Sequence, residues 1–304
     1  MQHTERSGLL LAIAGFALLS VGDGVIKSMA GAWPPLPVAA LRFVIGAVAL
    51  AALLSKVEGP SVLRPAQPWL QIGRGVCVSV ASVCFFSAVY IMPLAETMAI
   101  AFLAPVFTAL LSGPILGEKV QTPVWIASGM AMIGVVMILR PNLAELGLPA
   151  MFPLVSALFF GLMIVLNRKA AGQGSPLAMQ FYMAGVAATV LSVLAIGAKF
   201  SGIEVLDFGV PSWDVVGRCA IVACTATTAH WLVYLGTTRA GASQVAPCTY
   251  VQMLVATLIG WAWFDDVPDA LTLLGAAIII GAGLYLWRAS RHRSGIMKDV
   301  SQDR

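Results

Sequence analysis

The chain has 304 residues, of which 59% are hydrophobic and only 11% are charged, with a formal net charge of +4. A soluble domain is about one-quarter charged, so this composition excludes an ordinary soluble protein. Apolar runs of spanning length recur along the whole chain and predict an all-α integral membrane protein. The small positive charge gives no reason to expect a nucleic-acid partner, because membrane topology accounts for the distribution of the basic residues.

Ten apolar runs predict ten transmembrane helices. They cover residues 8–29, 36–55, 71–91, 94–114, 123–139, 150–167, 176–197, 213–235, 241–263 and 270–288. The first run follows Arg6 as a signal peptide would, but it is longer than a signal h-region, so we expect it to be retained. Tight turns with Pro or Gly and closely spaced small residues predict a compact bundle.

The basic residues predict the orientation of these spans. With a cytoplasmic N-terminus, thirteen of the eighteen Lys and Arg residues lie in cytoplasmic segments, and Arg140, Lys199 and Arg218 lie in the opposite ones. The positive-inside rule therefore predicts that both termini face the cytoplasm, in a bacterial-type inner membrane. The polar segment 291–304 is expected to be a disordered cytoplasmic tail that is attracted to anionic lipid.

The two halves of the chain resemble each other. The aligned pairs lie 147 positions apart: Glu118 with Asp265, Val120 with Val267, and Gly134 with Gly281. Further upstream, Pro37 matches Pro176. Five spans in each half is an odd number, so the second half must be inverted relative to the first. Inverted repeats are typical of secondary transporters, which bind substrate near the midplane where the halves meet.

Three stretches carry a resemblance to a known family. They are GDGVIKSMAGAWPPLPVAALRF (22–43), PLAETMAIAFLAPVFTALLSGPILGEKV (93–120) and RAGASQVAPCTYVQMLVATLIGWAWFDDVPDALTLLGA (239–276). Together they resemble the drug/metabolite transporter superfamily, and its EamA group in particular. The resemblance implies two inverted five-helix repeats, over 1–143 and 144–290. One departure is FDD (264–266), where the family has Gly-Glu.

The resemblance also implies a function. It predicts a carrier that moves a small organic metabolite by alternating access. The aspartate beside the first-span lysine, together with the AP..Y pattern in the ninth span, favours an aromatic, vitamin-like or nucleoside-like solute. An exporter of amino acids or of toxic metabolite analogues is the alternative.

Two ionisable residues interrupt the first span. Asp23 and Lys27 are four residues apart, so they share one helix face and can neutralise each other. A charge at mid-bilayer costs about 2.5–3.5 kcal/mol on insertion scales, so both should face the bundle. We interpret Asp23 as a group that binds substrate or accepts a proton and that is held by Lys27. A structural ion pair remains open as the alternative.

The second and fourth spans add two further charges. Arg42 lies about two turns into the second span, and Glu96 begins the fourth. Both are expected near Asp23 and Lys27, in a cluster that forms and breaks as a gate. The alternative for Glu96 is stabilisation of a helix N-terminus, where acidic side chains are favourable.

The second half contributes three candidates for the substrate path. His230 lies in the eighth span and is a candidate for proton relay, because histidine titrates near neutral pH; a packed structural histidine is the alternative. Gln244 and Tyr250 lie in the ninth span, and Tyr250 can stack on a planar substrate. Asp23, Glu96 and His230 are the candidates for proton coupling.

Several other classes are disfavoured. No GxxxxGK[ST] motif is present, so a gradient or exchange must supply the energy. Neither HExxH nor GxSxG occurs, which argues against an intramembrane enzyme, and sparse balanced charges argue against a channel. No cofactor or metal is expected, and the five cysteines are interpreted as small apolar residues. The expected partners are a small-molecule substrate and the lipid bilayer, and a homodimer is one open arrangement.

Overall fold

The structure is a computed structural model that describes residues 2–59, 65, 67–117, 122–170, 172–201, 207–240 and 245–302. Within these residues the chain forms eleven α-helices. They are α1 (Gln2–Lys27), α2 (Pro35–Val57), α3 (Pro68–Ile91), α4 (Leu94–Ala101), α5 (Ala104–Leu116), α6 (Thr122–Leu146), α7 (Phe152–Lys169), α8 (Pro176–Lys199), α9 (Trp213–Ala240), α10 (Tyr250–Phe264) and α11 (Ala270–Gln302).

The predicted ten-helix membrane fold is confirmed. Among the described residues, eight helical segments are long and apolar enough to cross a bilayer, and Tyr250–Phe264 and Ala270–Tyr285 are shorter apolar helices. The fourth span is broken into α4 and α5 by a turn at Phe102 and Leu103. A 3-10 turn, Ala246–Thr249, precedes α10 in the ninth span. This is a multi-pass membrane protein.

The last helix, α11, extends into the predicted tail. The backbone of α11 continues as a helix to Gln302. Residues 289–302 contain no proline and a single glycine, Gly295. Nothing in the sequence therefore interrupts the ladder of intrahelical hydrogen bonds beyond the membrane.

Eight of the ten spans form a closed ring. We call the two ends of the bundle the Lys27 end and the N-terminal end. Helix α1 packs against α9 and α10, α9 against α2, α2 against α8, α8 against α3, and α3 against α7. Helices α4 and α5 pack against α7, and α4 contacts α10, which closes the ring. The fifth and tenth spans, α6 and α11, pack against each other outside this ring.

Glycines allow the closest helix contacts. Gly8, Gly15 and Gly22 recur every seven residues on the face of α1 that meets α9. A Cβ at Gly15 would lie 2.8 Å from the Ala229 carbonyl oxygen, so no larger residue fits there without movement. Such close approach replaces the hydrophobic driving force that is missing between helices in lipid.

The buried side chains are distributed unevenly between the two ends. The largest buried cluster joins α1, α2, α3, α4, α7, α8, α9 and α10 and reaches the Lys27 end; its members include Ile26, Phe43, Phe86, Leu94, Cys219 and Ile259. A second cluster joins α4, α5, α6, α7, α10 and α11. Toward the N-terminal end the remaining buried residues form smaller groups. One includes Ala12, Phe16, Ala240 and Val245, and another includes Leu54, Ala178 and Tyr182. Continuous apolar packing therefore reaches the Lys27 end, whereas the buried groups near the N-terminal end are small.

Backbone features of the two halves correct the alignment of the repeat. Gly31 and Gly172 both have positive φ, at 78° and 81°, and each precedes a helix that begins at a proline four residues later. These helices begin at Pro35 and Pro176, so Pro35, two positions before the predicted Pro37, holds the place in α2 that Pro176 holds in α8. The prolines coincide because proline is favoured in the first turn of a helix.

A second correction concerns the end of the fourth and ninth spans. Gly117 ends α5 and Asp265 ends α10, and both have left-handed backbone, with φ of 71° and 54°. These two caps lie 148 positions apart, so Asp265 holds the place at the end of α10 that Gly117 holds at the end of α5. Counted from these caps, Asp266 takes the sequence position that Glu118 has after Gly117.

The contact between α6 and α11 generates a stability prediction. A Cβ at Gly134 would lie 2.6 Å from the Gly275 carbonyl oxygen, whereas a Cβ at Gly129 on the same helix meets open space. Gly134→Ala should destabilise the protein by about 1–3 kcal/mol through overpacking. Gly129→Ala should not, because alanine only improves helix propensity there. Thermal unfolding of both variants in detergent tests this; equal unfolding temperatures would contradict the contact.

Candidate functional site

Three predicted residues border one internal space. Asp23 on α1, Arg42 on α2 and His230 on α9 all lie deep inside the bundle, with protein around them. Asp23 and Arg42 nevertheless keep a partly accessible surface, and His230 is exposed. A side chain that is deep and yet accessible must line a cavity. We call this space the central cavity.

Asp23 is held by α10. Its Oδ2 accepts a hydrogen bond from Gln252 Nε2 at 3.2 Å, and Ser20 Oγ donates to the Gln252 carbonyl oxygen at 2.6 Å. These two hydrogen bonds, which start about one turn apart on α1, connect α1 to α10. Gln252 was not among the predicted path residues; its polar side chain within an apolar helix was the signal.

Arg42 differs from the other basic groups of the bundle. Its guanidinium carbon lies 4.5 Å from the ring centre of Phe43 and 5.5 Å from that of Phe86. Within the described part of the chain, no carboxylate lies within 4.0 Å of it. Asp23 and His230 are close enough to interact with Arg42 electrostatically. Arg42 is therefore a cation flanked by aromatic faces and without a direct counter-ion.

Lys27 has a partner that the sequence did not reveal. It forms an ion pair with Asp266 Oδ2, in the loop between α10 and α11, and its Nζ donates to the Met92 carbonyl oxygen at 3.0 Å. The Phe264 ring centre lies 5.2 Å away. The prediction that Lys27 and Asp23 neutralise each other is therefore wrong, because each has its own partner on another helix or loop.

The ion pair joins three segments at the Lys27 end. Asp266 Oδ2 also accepts a hydrogen bond from the Leu94 backbone N–H, at 3.4 Å and at the start of α4. The end of α1, the start of α4 and the loop after α10 thus converge on one carboxylate. Asp266 was missed because the repeat alignment placed the acid one residue too early.

Glu96 does not join the cavity group. It is buried in the first turn of α4, and its Oε1 accepts a hydrogen bond from Thr272 Oγ1 at 3.2 Å. Thr272 belongs to α11, so Glu96 connects the ring to the outer pair of helices. The predicted gate of Glu96 with Asp23, Lys27 and Arg42 stays a prediction.

Tyr250 and Gln244 are the two remaining candidates for the substrate path. Tyr250 packs against Phe102, with ring centres 5.6 Å apart. Its hydroxyl would lie 2.1 Å from a Cβ at Gly283, so the ring fills a notch on α11. Gln244 lies outside the described residues.

Near each end of the bundle, an arginine connects two helices by hydrogen bonds; we call such a contact a lock. Near the N-terminal end, Arg74 of α3 is buried and donates to the Asn167 and Gln71 side-chain oxygens. At the Lys27 end, Arg218 of α9 donates to the Ser28 carbonyl oxygen at 2.7 Å. Each lock joins the first turns of one helix to the last turns of another.

The described residues contain no group of three His, Cys, Asp or Glu side chains that could hold a metal ion. The polar groups of the central cavity also lack a paired nucleophile and base. Their arrangement of opposite charges on separate helices is suited to binding a solute.

The chain belongs to the EamA-like transporter family, whose model matches residues 6–140 and 147–288. The pseudopaline exporter of Pseudomonas aeruginosa is 29% identical over 295 residues, covering 94% of this chain and 98% of that protein. The S-adenosylmethionine uptake transporter of Rickettsia prowazekii is 22% identical over 283 residues, covering 93% of each. The riboflavin transporter of Vibrio cholerae is 25% identical over 296 residues, covering 96% of each.

The family and its relatives are transporters and not enzymes, so the predicted class is confirmed. A solved crystal structure with 20% sequence identity matches this fold with a TM-score of 0.62, covering 94% of this chain and 98% of that chain. At this identity the likeness supports the fold alone.

The Lys27–Asp266 pair generates a second prediction. The two side chains are only 12% and 20% exposed, so removing one leaves a shielded charge unpaired. A double-mutant cycle with Lys27→Met and Asp266→Asn should show a coupling energy of about 1–3 kcal/mol in detergent unfolding.

The matched control is the pair Asp214–Arg218 on α9, which is far more exposed. Its coupling should be only about 0.3–0.5 kcal/mol, as for other surface pairs at this spacing. Equal coupling in the two cycles would contradict the partner assigned to Lys27.

Proposed function

We propose that this protein is a secondary transporter that moves a small organic metabolite across the membrane by alternating access. The observation that carries this proposal is the central cavity. It is ringed by eight spans and bordered by Asp23, Arg42 and His230, and a buried apolar cluster fills the ring toward the Lys27 end. A cavity open at one end is the form that a carrier takes in one of its two states.

Several observations support the predicted inverted repeats, which we propose to cover 1–143 and 144–290. The contacts between helices occur in pairs that an inverted repeat would relate: α1–α9 corresponds to α3–α7, whereas α2–α8 and α6–α11 each correspond to themselves. Phe102 and Tyr250 touch each other and lie 148 positions apart, the same spacing as the caps Gly117 and Asp265. Equivalent residues meet in this way on a two-fold axis.

The distribution of Lys and Arg supports an orientation for this state. We propose an inner-membrane protein with both termini in the cytoplasm, as the positive-inside rule predicts. The Lys27 end then faces outward, and the structure corresponds to an inward-facing state. In this proposal the Lys27–Asp266 pair is part of the outer gate, because it fastens α1 to the start of α4 and to the loop after α10.

We assign roles to the cavity residues on their positions. Asp23, Arg42 and His230 contact substrate, and Gln252 orients Asp23. Proton coupling, where it occurs, belongs to Asp23 or His230, because both reach the cavity. Glu96 suits a structural role between α4 and α11, and Tyr250 suits a packing role at the contact of the fourth and ninth spans.

The relatives support the predicted solute class. Two of them are named for S-adenosylmethionine and riboflavin, which are nucleoside-like and vitamin solutes. We therefore propose an aromatic, vitamin-like or nucleoside-like solute. Export of a metabolite is a second candidate, because the pseudopaline relative is named an exporter.

Counterflow in proteoliposomes tests the carrier proposal. Vesicles loaded with unlabelled S-adenosylmethionine, riboflavin or L-tryptophan should accumulate the labelled form of the transported solute transiently, and the initial rate should saturate. Asp23→Asn should lower that rate at least tenfold, by the loss of one charged contact. Asp214→Asn, an exposed substitution on α9, should leave it unchanged. Downhill flux without counterflow would indicate a channel and overturn the proposal.

A further inference from the structure

The unpaired state of Arg42 is informative because the other interior cations are satisfied. Lys27 is paired with Asp266, and Arg74 donates to two amide oxygens. Arg42 makes no such bond within the described part of the chain; its guanidinium carbon lies over the rings of Phe43 and Phe86. Its N–H donors are left for a ligand or water in the cavity.

Asp23 provides a second pole of opposite sign. Gln252 occupies one carboxylate oxygen, at Oδ2, and Asp23 approaches Arg42 closely enough for electrostatic interaction but not within 4.0 Å. Two opposite charges that share a cavity and do not collapse into contact leave a gap between them. A ligand with one charge would leave one pole unsatisfied, whereas a ligand with both charges satisfies the two poles at once.

We propose that Arg42 and Asp23 form a two-pole site for a zwitterionic metabolite, with its carboxylate on Arg42 and its ammonium or sulfonium group on Asp23. The planar guanidinium matches a carboxylate by two parallel hydrogen bonds. The rings of Phe43 and Phe86, 4.5 Å and 5.5 Å from the guanidinium carbon, help to hold the Arg42 side chain in place. This inference rests on the carrier function proposed above and specifies its substrate class.

The two-pole site also gives His230 a role in binding. Its ring lies on the cavity face of α9 and interacts electrostatically with Arg42. A histidine beside the carboxylate pole can donate a further hydrogen bond to the ligand. Among the cavity groups described there is no acid besides Asp23. Asp23 is therefore the group that binds the positive charge of the ligand.

Matched ligands test the two poles directly. The probes are L-tryptophan, N-acetyl-L-tryptophan, which lacks the ammonium charge, and L-tryptophanamide, which lacks the carboxylate. A second pair is S-adenosylmethionine and methylthioadenosine, which carries neither amino-acid charge. Equilibrium binding to purified protein should be about 10- to 100-fold tighter for the zwitterion of at least one series than for its analogues.

Variants assign the poles to residues. In the responding series, Arg42→Gln should abolish the preference for the carboxylate, and Asp23→Asn should abolish the preference for the cation. Equal binding of zwitterion and analogues, or unchanged preferences in both variants, would overturn the two-pole site.

Unfolding temperatures separate a binding role from a structural one. Arg42→Met should leave the unfolding temperature of the ligand-free protein unchanged or raise it, because no bond is broken. Arg74→Met, the matched control, should lower it, because its two amide partners lose their donor. A large loss of stability in Arg42→Met would identify Arg42 as a structural lock and overturn the proposal.

The outcomes distinguish this inference from the carrier function. Counterflow of riboflavin or another uncharged solute, with no zwitterion bound, would overturn the two-pole site and leave the carrier function standing. Binding of a zwitterion without counterflow of any solute would support the site and contradict the carrier.

Discussion

Every charge inside a membrane-spanning bundle needs a partner, since a charged group in low dielectric loses its hydration and gains little in return. This protein meets the constraint in three ways. Lys27 is joined to a carboxylate near one end, and Arg74 is enclosed by amide oxygens near the other. Arg42 instead borders a cavity, where solvent or a ligand can reach it. The partners of Lys27 and Arg74 therefore connect helices near the two ends of the bundle, and Arg42 marks the cavity between them.

The positions of the locks suit a carrier that changes shape. The Lys27–Asp266 pair lies near the bundle end and is still partly exposed, so separating it costs less than separating a fully buried pair. It joins segments from both halves of the chain, which would move relative to each other in the alternating-access mechanism proposed above. By contrast, α1 and α9 are fastened along their whole length by glycine contacts, and we expect them to move as one body.

The sequence was sufficient for the fold and insufficient for the site. Ten spans could be predicted from the sequence because the thickness of a bilayer determines their length. The i, i+4 spacing correctly placed Asp23 and Lys27 on one helix. It could not predict their partners, since Asp266 lies 239 residues away from Lys27. The repeat alignment missed Asp266 because the left-handed cap at Asp265 replaces a glycine. The contact of Glu96 with Thr272 could not be predicted either, because it depends on the packing of α4 on α11.

Solvent access to the central cavity tests the account most directly. In a variant without native cysteines, His230→Cys should react with a membrane-impermeant maleimide added from the side of the N-terminus, and a ligand that binds should slow the reaction. Trp213→Cys, exposed at the Lys27 end, should react only from the opposite side. Failure of His230→Cys to react from the N-terminal side, while a membrane-permeant maleimide still modifies it, would contradict a water-filled cavity open at that end.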